Sequence, residues 1–193
     1  MGATSEQYVA AQTWLSTFSA AVSSNDAKAV ASTFLAFGWF RDVLTFVWDN
    51  RSLSGPEQIT AYLAEDDRLA KARLSSIKLD EDPYFQPAST VDPDGTPGID
   101  LGFVFETPIA HGKGFTRLRR DALAQWKALT VFTMIVDLKG HEERAGLPDY
   151  ESDDKTWTKV FQERRTQVEA NPYVLIGMSA VVLMCMSVEA ILQ

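Results

Sequence analysis

Residues Phe34 to Leu63 read FLAFGWFRDVLTFVWDNRSLSGPEQITAYL, and the fold turns on how they are parsed. The stretch divides into the end of a helix, a strand over about residues 40–48, and a short helix behind a turn. Alternation places Phe40, Leu44, Phe46 and Trp48 on one face of that strand, with Asp42 among them. Phe40, Leu44 and Val47 also fit helical spacing, but the aromatic and β-branched content favours a strand. Ser54-Gly55-Pro56-Glu57 marks the turn into the next helix, with Pro and Glu in its first turn. Ile59, Tyr62 and Leu63 give that helix its inner face. A carboxylate among large apolar side chains is costly to bury without a partner or a task. The stretch therefore predicts a pocket holding one acidic group.

Towards the N-terminus, Val9, Trp14, Leu15, Phe18 and Val22 form an apolar stripe at helical period over residues 6–22. Ser24, Asn25 and Asp26 break it and offer an N-cap. A second helix follows, with Val30, Phe34 and Phe37 inward and Gly38 at its end. Beyond residue 63, a strand is predicted at 73–79 and a loop over most of Asp80 to Gly98, where prolines and acids gather. Ile99, Leu101, Phe103 and Phe105 alternate with polar or small residues, the mark of a half-buried strand. Strands at 113–120 and 123–136 complete an antiparallel sheet, with Gly112 and Gly114 in one turn and Arg120-Asp121 in the next. Helices followed by a run of antiparallel strands define an α+β fold. A strongly curved sheet closed by helices would enclose a cone-shaped cavity.

The chain has 193 residues, 46% of them hydrophobic, enough for one core with an appendage. Its net charge of −8 argues against nucleic acid, whose phosphates need clustered Lys and Arg. The one local basic cluster, Arg117, Arg119 and Arg120, reads as a solvated hairpin. Cys185 stands alone, so no internal disulfide forms, and MGATSEQYVAAQTW lacks the features of a secretory signal. Both fit a cytoplasmic protein. Glu6 occupies the place where a myristoylation signal wants Ser or Thr. Gly146 to Lys155 is a polar, acidic linker, and residues 156–170 form a charged helix. No residue from Tyr173 to Val188 is charged, but that run is short of the roughly 20 residues a span needs. A membrane anchor in the tail is the weaker alternative, because basic flanks are lacking.

The order of elements resembles the nuclear-transport-factor-2-like cone, a cystatin-like fold shared with SnoaL-like polyketide cyclases. Arg41 to Gly55 (RDVLTFVWDNRSLSG), Trp126 to Glu143 (WKALTVFTMIVDLKGHEE) and Trp157 to Ile176 (WTKVFQERRTQVEANPYVLI) resemble the N-terminal region of fungal flavin-containing monooxygenases. The resemblance implies a cone domain over 1–145, a linker and charged helix over 146–171, and the start of a Rossmann strand with an apolar tail over 172–193. In that family FAD and NADPH are bound, and a Gly-x-Gly-x-x-Gly turn follows the first flavin-domain strand. Here Gly177-Met178-Ser179-Ala180-Val181-Val182 keeps Gly177 alone of the motif glycines. The resemblance thus implies a truncated or divergent relative that binds no cofactor. The alternative is a cofactor-free SnoaL-like isomerase or cyclase acting on a small hydrophobic secondary metabolite. Dimers of this fold usually pair through the outer or open sheet face, so the resemblance implies a homodimer as well.

Asp42 is the leading catalytic candidate, because a carboxylate in an apolar cavity can serve as general acid or base. Its structural alternative is an ion pair with Arg41 or Arg51, or a cap on a neighbouring helix. His111, beside Gly112 in a strand-end turn, could act as acid or base at a cavity mouth, or be an exposed turn residue. Trp39, Trp48, Phe103, Phe105 and Trp126 could line the pocket or serve as core. His141 beside Glu142 and Glu143 invites a metal reading, but neighbours in sequence rarely close a metal site, so none is expected. Ser16, Thr17 and Ser19 have no paired base, and Cys185 has no basic neighbour to lower its pKa.

Overall fold

The computed structural model describes residues 4–142 and 157–170. Contacts divide the chain into two units, Met1–Glu143 and Arg144–Gln193. The first helix, α1 (Ser5–Ser23), starts on a capping box: Thr4 Oγ1 accepts from the Gln7 amide, and Gln7 Oε1 accepts from the Thr4 amide at 2.9 Å. Trp14, Leu15, Phe18 and Val22 of its stripe are buried, whereas Val9 is exposed. Asp26 caps α2 (Ala27–Ser32) by accepting from the Ala29 amide at 2.9 Å.

The second helix is shorter than its spacing predicts. It stops at Ser32, and Phe34 and Phe37 lie on a strand, β1 (Phe34–Val43). The deciding contact is remote in sequence: the Ala128 amide donates to the Thr33 carbonyl at 2.8 Å, and β1 then pairs with the last strand. Nor does this strand continue to residue 48. The chain leaves it at Leu44, whose φ is +66°, and turns through residues 44–49. Then β2 (Asn50–Ser54) returns antiparallel, with Phe40 opposite Leu53 and Asp42 opposite Arg51. After it come α3 (Gly55–Ala64), a 3-10 turn (Glu65–Asp67) and α4 (Arg68–Ala72).

The remaining strands are β3 (Ser75–Leu79), β4 (Ala88–Val91), β5 (Pro97–Glu106), β6 (Ala110–Arg120) and β7 (Trp126–Leu138). The sheet order is β2-β1-β7-β6-β5-β3, with β4 also paired to β5. All pairings are antiparallel except β1 with β7, which run parallel. A wholly antiparallel sheet was the expectation. Parallel neighbours need a long crossover, and here everything from β2 to β6 lies between the two strands. The expected loop over 80–98 contains β4, and its Phe85 packs over Gly102, where a Cβ would come within 2.6 Å of the Phe85 Cβ.

Gly112 and Gly114 are not in a turn. They lie inside β6, facing inward, directly opposite Phe105 and Phe103 of β5. A Cβ on Gly112 would meet Phe105 Cζ at 2.2 Å, and one on Gly114 would meet Phe103 Cζ at 2.1 Å. The two rings lie across the glycines, which is why the strand tolerates no side chain there. Phe103 also packs on Phe18 of α1 with centroids 5.9 Å apart, and Phe18 stacks on Trp14 at 5.2 Å. The middle of the inner face is therefore filled.

On the outer face the basic cluster is paired. Arg117 bridges Asp92 and Asp100, at 2.9 and 2.6 Å, and Arg119 contacts Asp92 and Asp94. Arg120 is exposed, with its guanidinium 5.0 Å from the Trp126 ring centroid. In the second unit, α5 (Trp157–Ala170) carries an Arg165–Glu169 pair at 2.7 Å, and Phe161 is exposed. No helix among the described residues is long and apolar enough to cross a membrane. Gly177, the apolar run and the acidic linker lie outside the described residues.

Candidate functional site

Asp42 organises the turn that follows it. Its side chain is fully buried on the inner face of β1. Oδ1 accepts from the Thr45 amide at 3.0 Å, and Oδ2 from the Phe46 amide at 3.2 Å. Tyr62 Oη donates to Oδ2 at 2.7 Å, and Thr133 Oγ1 lies 3.5 Å from Oδ1. An ionised carboxylate has about four acceptor sites, so this set of donors satisfies it. Neither expected arginine takes part: Arg41 donates to Ser52 Oγ at 2.6 Å, and Arg51 pairs with Asp49 at 2.5 Å. Strand alternation turns Arg41 outward, and β2 carries Arg51 to the surface.

Tyr62 belongs to α3, and its hydroxyl reaches across the core to Asp42. Burial, then the hydrogen bond to Asp42 and the carboxylate's charge, push the phenol well above the usual tyrosine range. It stays neutral and acts as a donor. Arg68 Nη1 donates to the Tyr62 carbonyl at 2.8 Å, its guanidinium lies 4.2 Å from the ring centroid, and it pairs with Glu65 at 3.0 Å. Phe46 meets Tyr62 edge-on with centroids 6.4 Å apart.

The same turn forms a wall of a cavity of about 360 Å³ at one end of the inner face. Thr45, Phe46 and Trp48 line it from the turn, Ala72 from α4, Ile109 from the β5–β6 connection and Ile135 from β7. Its size falls within the range of small-molecule pockets. The Thr45 hydroxyl is buried and has no hydrogen-bond partner. Most buried polar atoms in native proteins are paired, and this hydroxyl is an exception on a residue of the cavity lining.

The other predicted residues are dispersed. His111 lies within β6 on the outer face, opposite Glu106 and Asp137, with Nε2 3.6 Å from a Glu142 carboxylate oxygen. It does not share a site with Asp42. Trp39 is half exposed on the outer side of β1, and Trp48 is largely exposed at the cavity mouth. Phe103 and Phe105 are buried core. Trp126 borders a different cavity of about 460 Å³, with Trp14, Thr33 and Lys127. His141 is exposed, and no metal-competent group of His, Cys, Asp and Glu gathers among the described residues. Sequence reasoning missed Thr45, Thr133 and the partnership with Tyr62. A signal for the last existed: a buried tyrosine needs an acceptor, and a buried carboxylate needs donors.

No protein-family model and no curated protein sequence matches the chain. Solved structures do. A domain of unknown function with a cystatin-like fold from Nostoc punctiforme aligns at TM-score 0.50 with 10% identity, covering 98% of both chains. An NTF2-like protein with a cystatin-like fold from Novosphingobium aromaticivorans aligns at TM-score 0.47 and 16% identity, over 68% of this chain and 83% of that one. A Catenulispora acidiphila protein in complex with S-DNPA aligns at TM-score 0.49 and 14% identity, over 68% of this chain and 95% of that one. At these identities the likeness speaks for architecture alone. The chain has an α+β cystatin-like fold.

Proposed function

We infer that the first unit binds a small, mostly apolar molecule in the cavity beside Thr45 and rearranges it by proton transfer without a cofactor, as an isomerase or cyclase. The observation that carries this is the buried Asp42–Tyr62 pair one peptide behind the cavity wall. Thr45 and Phe46 both line the cavity and hold the carboxylate with their amides. Asp42 is the proton acceptor of this reading, and Tyr62 is the donor that orients it. A ligand atom reaches the carboxylate when the 44–47 turn swings aside. Leu44 at φ +66° places non-glycine strain in that turn.

Proton exchange tests the reading. With 1-phenylbutane-1,3-dione in D₂O, the protein should accelerate deuterium uptake at the central carbon. Asp42→Asn should lower that rate about 100-fold or more, in line with the share general bases contribute. Tyr62→Phe, the milder change, should lower it less. Exchange unchanged in a folded Asp42→Asn protein would remove Asp42 from the chemistry.

The flavin-monooxygenase resemblance rests on three sequence stretches, one of which, Arg41 to Gly55, contains Asp42 and its turn. With Gly177 alone of the motif glycines, we propose no bound FAD or NADPH, and flavin absorbance in purified protein would reject this. Homodimerisation is supported by Phe37 and Trp39, both exposed on the outer side of β1. Sedimentation velocity should show a dimer that Trp39→Glu dissociates, and a monomeric wild type would reject it.

A further inference from the structure

The cavity beside Thr45 carries an electrostatic signature that its apolar walls conceal. The chain as a whole has a net charge of −8. Yet no acidic side chain lines this cavity, and two basic ones do: Lys71 in the last turn of α4 and Arg73 just after it. Neither makes an ion pair with any described residue. The nearest arginine in sequence, Arg68, is engaged by Glu65 and the Tyr62 carbonyl. Arg73 is held at this rim by an unusual backbone, with φ +49°, a conformation that glycine adopts at little cost and arginine does not. Thr45, which also lines the cavity, has a buried and unpartnered hydroxyl.

From this juxtaposition we propose that the cavity selects small apolar anions: a bicyclic-sized aromatic or aliphatic body carrying one carboxylate or enolate, whose charge lies between Lys71 and Arg73. This rests on the binding reading above and names its ligand class. The apolar body displaces water from Phe46, Ile109 and Ile135, which supplies affinity. The unpaired cations supply preference for charge, because an anion there meets attraction and no acidic side chain lines the cavity. They are solvent-exposed, so that preference weakens with salt.

A matched pair of probes separates the two claims. 1-Naphthoate and 1-naphthamide differ in charge and little in size, and their binding is followed by chemical-shift changes of Thr45, Ile109 and Ile135. The wild type should bind naphthoate about tenfold more tightly than naphthamide at low salt, a difference that shrinks as salt is raised. Lys71→Gln with Arg73→Gly should abolish the difference between the two probes. The glycine suits the left-handed backbone, so the thermal midpoint of this variant should not fall. Equal binding of both probes, or a preference that survives the double substitution, overturns the anion assignment and leaves the cavity standing. Absence of binding by either probe overturns both.

Discussion

Asp42→Ala should destabilise the first unit by about 3–5 kcal/mol. The substitution strands three donors that now lie within 3.2 Å of the carboxylate: the buried Thr45 amide and Tyr62 hydroxyl and the part-buried Phe46 amide. Each orphaned buried donor costs about 1–3 kcal/mol, and water entering the space left behind recovers part of the sum. Asp42→Asn keeps one acceptor oxygen and should lose roughly half as much. Urea unfolding read by near-ultraviolet circular dichroism measures both. A loss below about 1 kcal/mol for the alanine variant would mean that the carboxylate does not hold the turn.

The same cluster fixes an alkaline limit. In the folded state the Tyr62 phenol is pushed above its ordinary range by burial and by Asp42. Its contribution is complete below the unfolded tyrosine pKa of about 10 and is lost as pH rises through the folded value. Above pH 10 the unfolded chain ionises at this position while the folded chain does not. Stability should therefore fall by roughly 1.4 kcal/mol per pH unit on account of Tyr62 alone. Tyr62→Phe should lose that part of the slope.

The second large effect is expected at Gly114. Gly114→Ala places a methyl 2.1 Å from Phe103 Cζ, and Phe103 has no room to retreat. Its ring is fully buried between Phe18 and Phe105, with centroids at 5.9 and 6.3 Å. Overpacking commonly costs about 1–3 kcal/mol, and this site should reach or pass the upper end. Gly112→Ala, 2.2 Å from Phe105 Cζ, should behave alike. Phe103→Leu made together with Gly114→Ala should cost less than the sum of the two alone, by at least about 1 kcal/mol, because the smaller side chain vacates the methyl's position. Additive costs would show that the ring does not lie across the glycine.

Much of this was legible in the residues because the responsible forces are local. The stripe of Trp14, Leu15, Phe18 and Val22 needs only the helical period, and Ile99, Leu101, Phe103 and Phe105 need only the strand period. Asp26 caps its helix within three residues of itself. Burial of Asp42 followed from its place among aromatics on an alternating face. Where the reading failed, the cause was a partner far along the chain. Phe34 and Phe37 suit a helix or a strand by spacing, and pairing with β7 decided for the strand. Gly112 and Gly114 resemble a turn until Phe105 and Phe103 are laid across them. Trp48 was assigned inward because the strand was carried past Leu44, where the chain turns to let Asp42 collect its amides.

The amino-acid order alone determined the α+β class, the inward faces of α1 and β5, and the presence of a buried acid near the end of β1. Each follows from periodicity and the cost of exposing apolar surface, which a chain settles over a few residues. Only the tertiary structure decided that Tyr62 completes Asp42, that the inner face is filled at its centre, and that Lys71 and Arg73 meet Thr45 around one cavity. Those outcomes depend on which distant segments touch, and pairing of β1 with β7 across most of the chain is not encoded in any window of sequence.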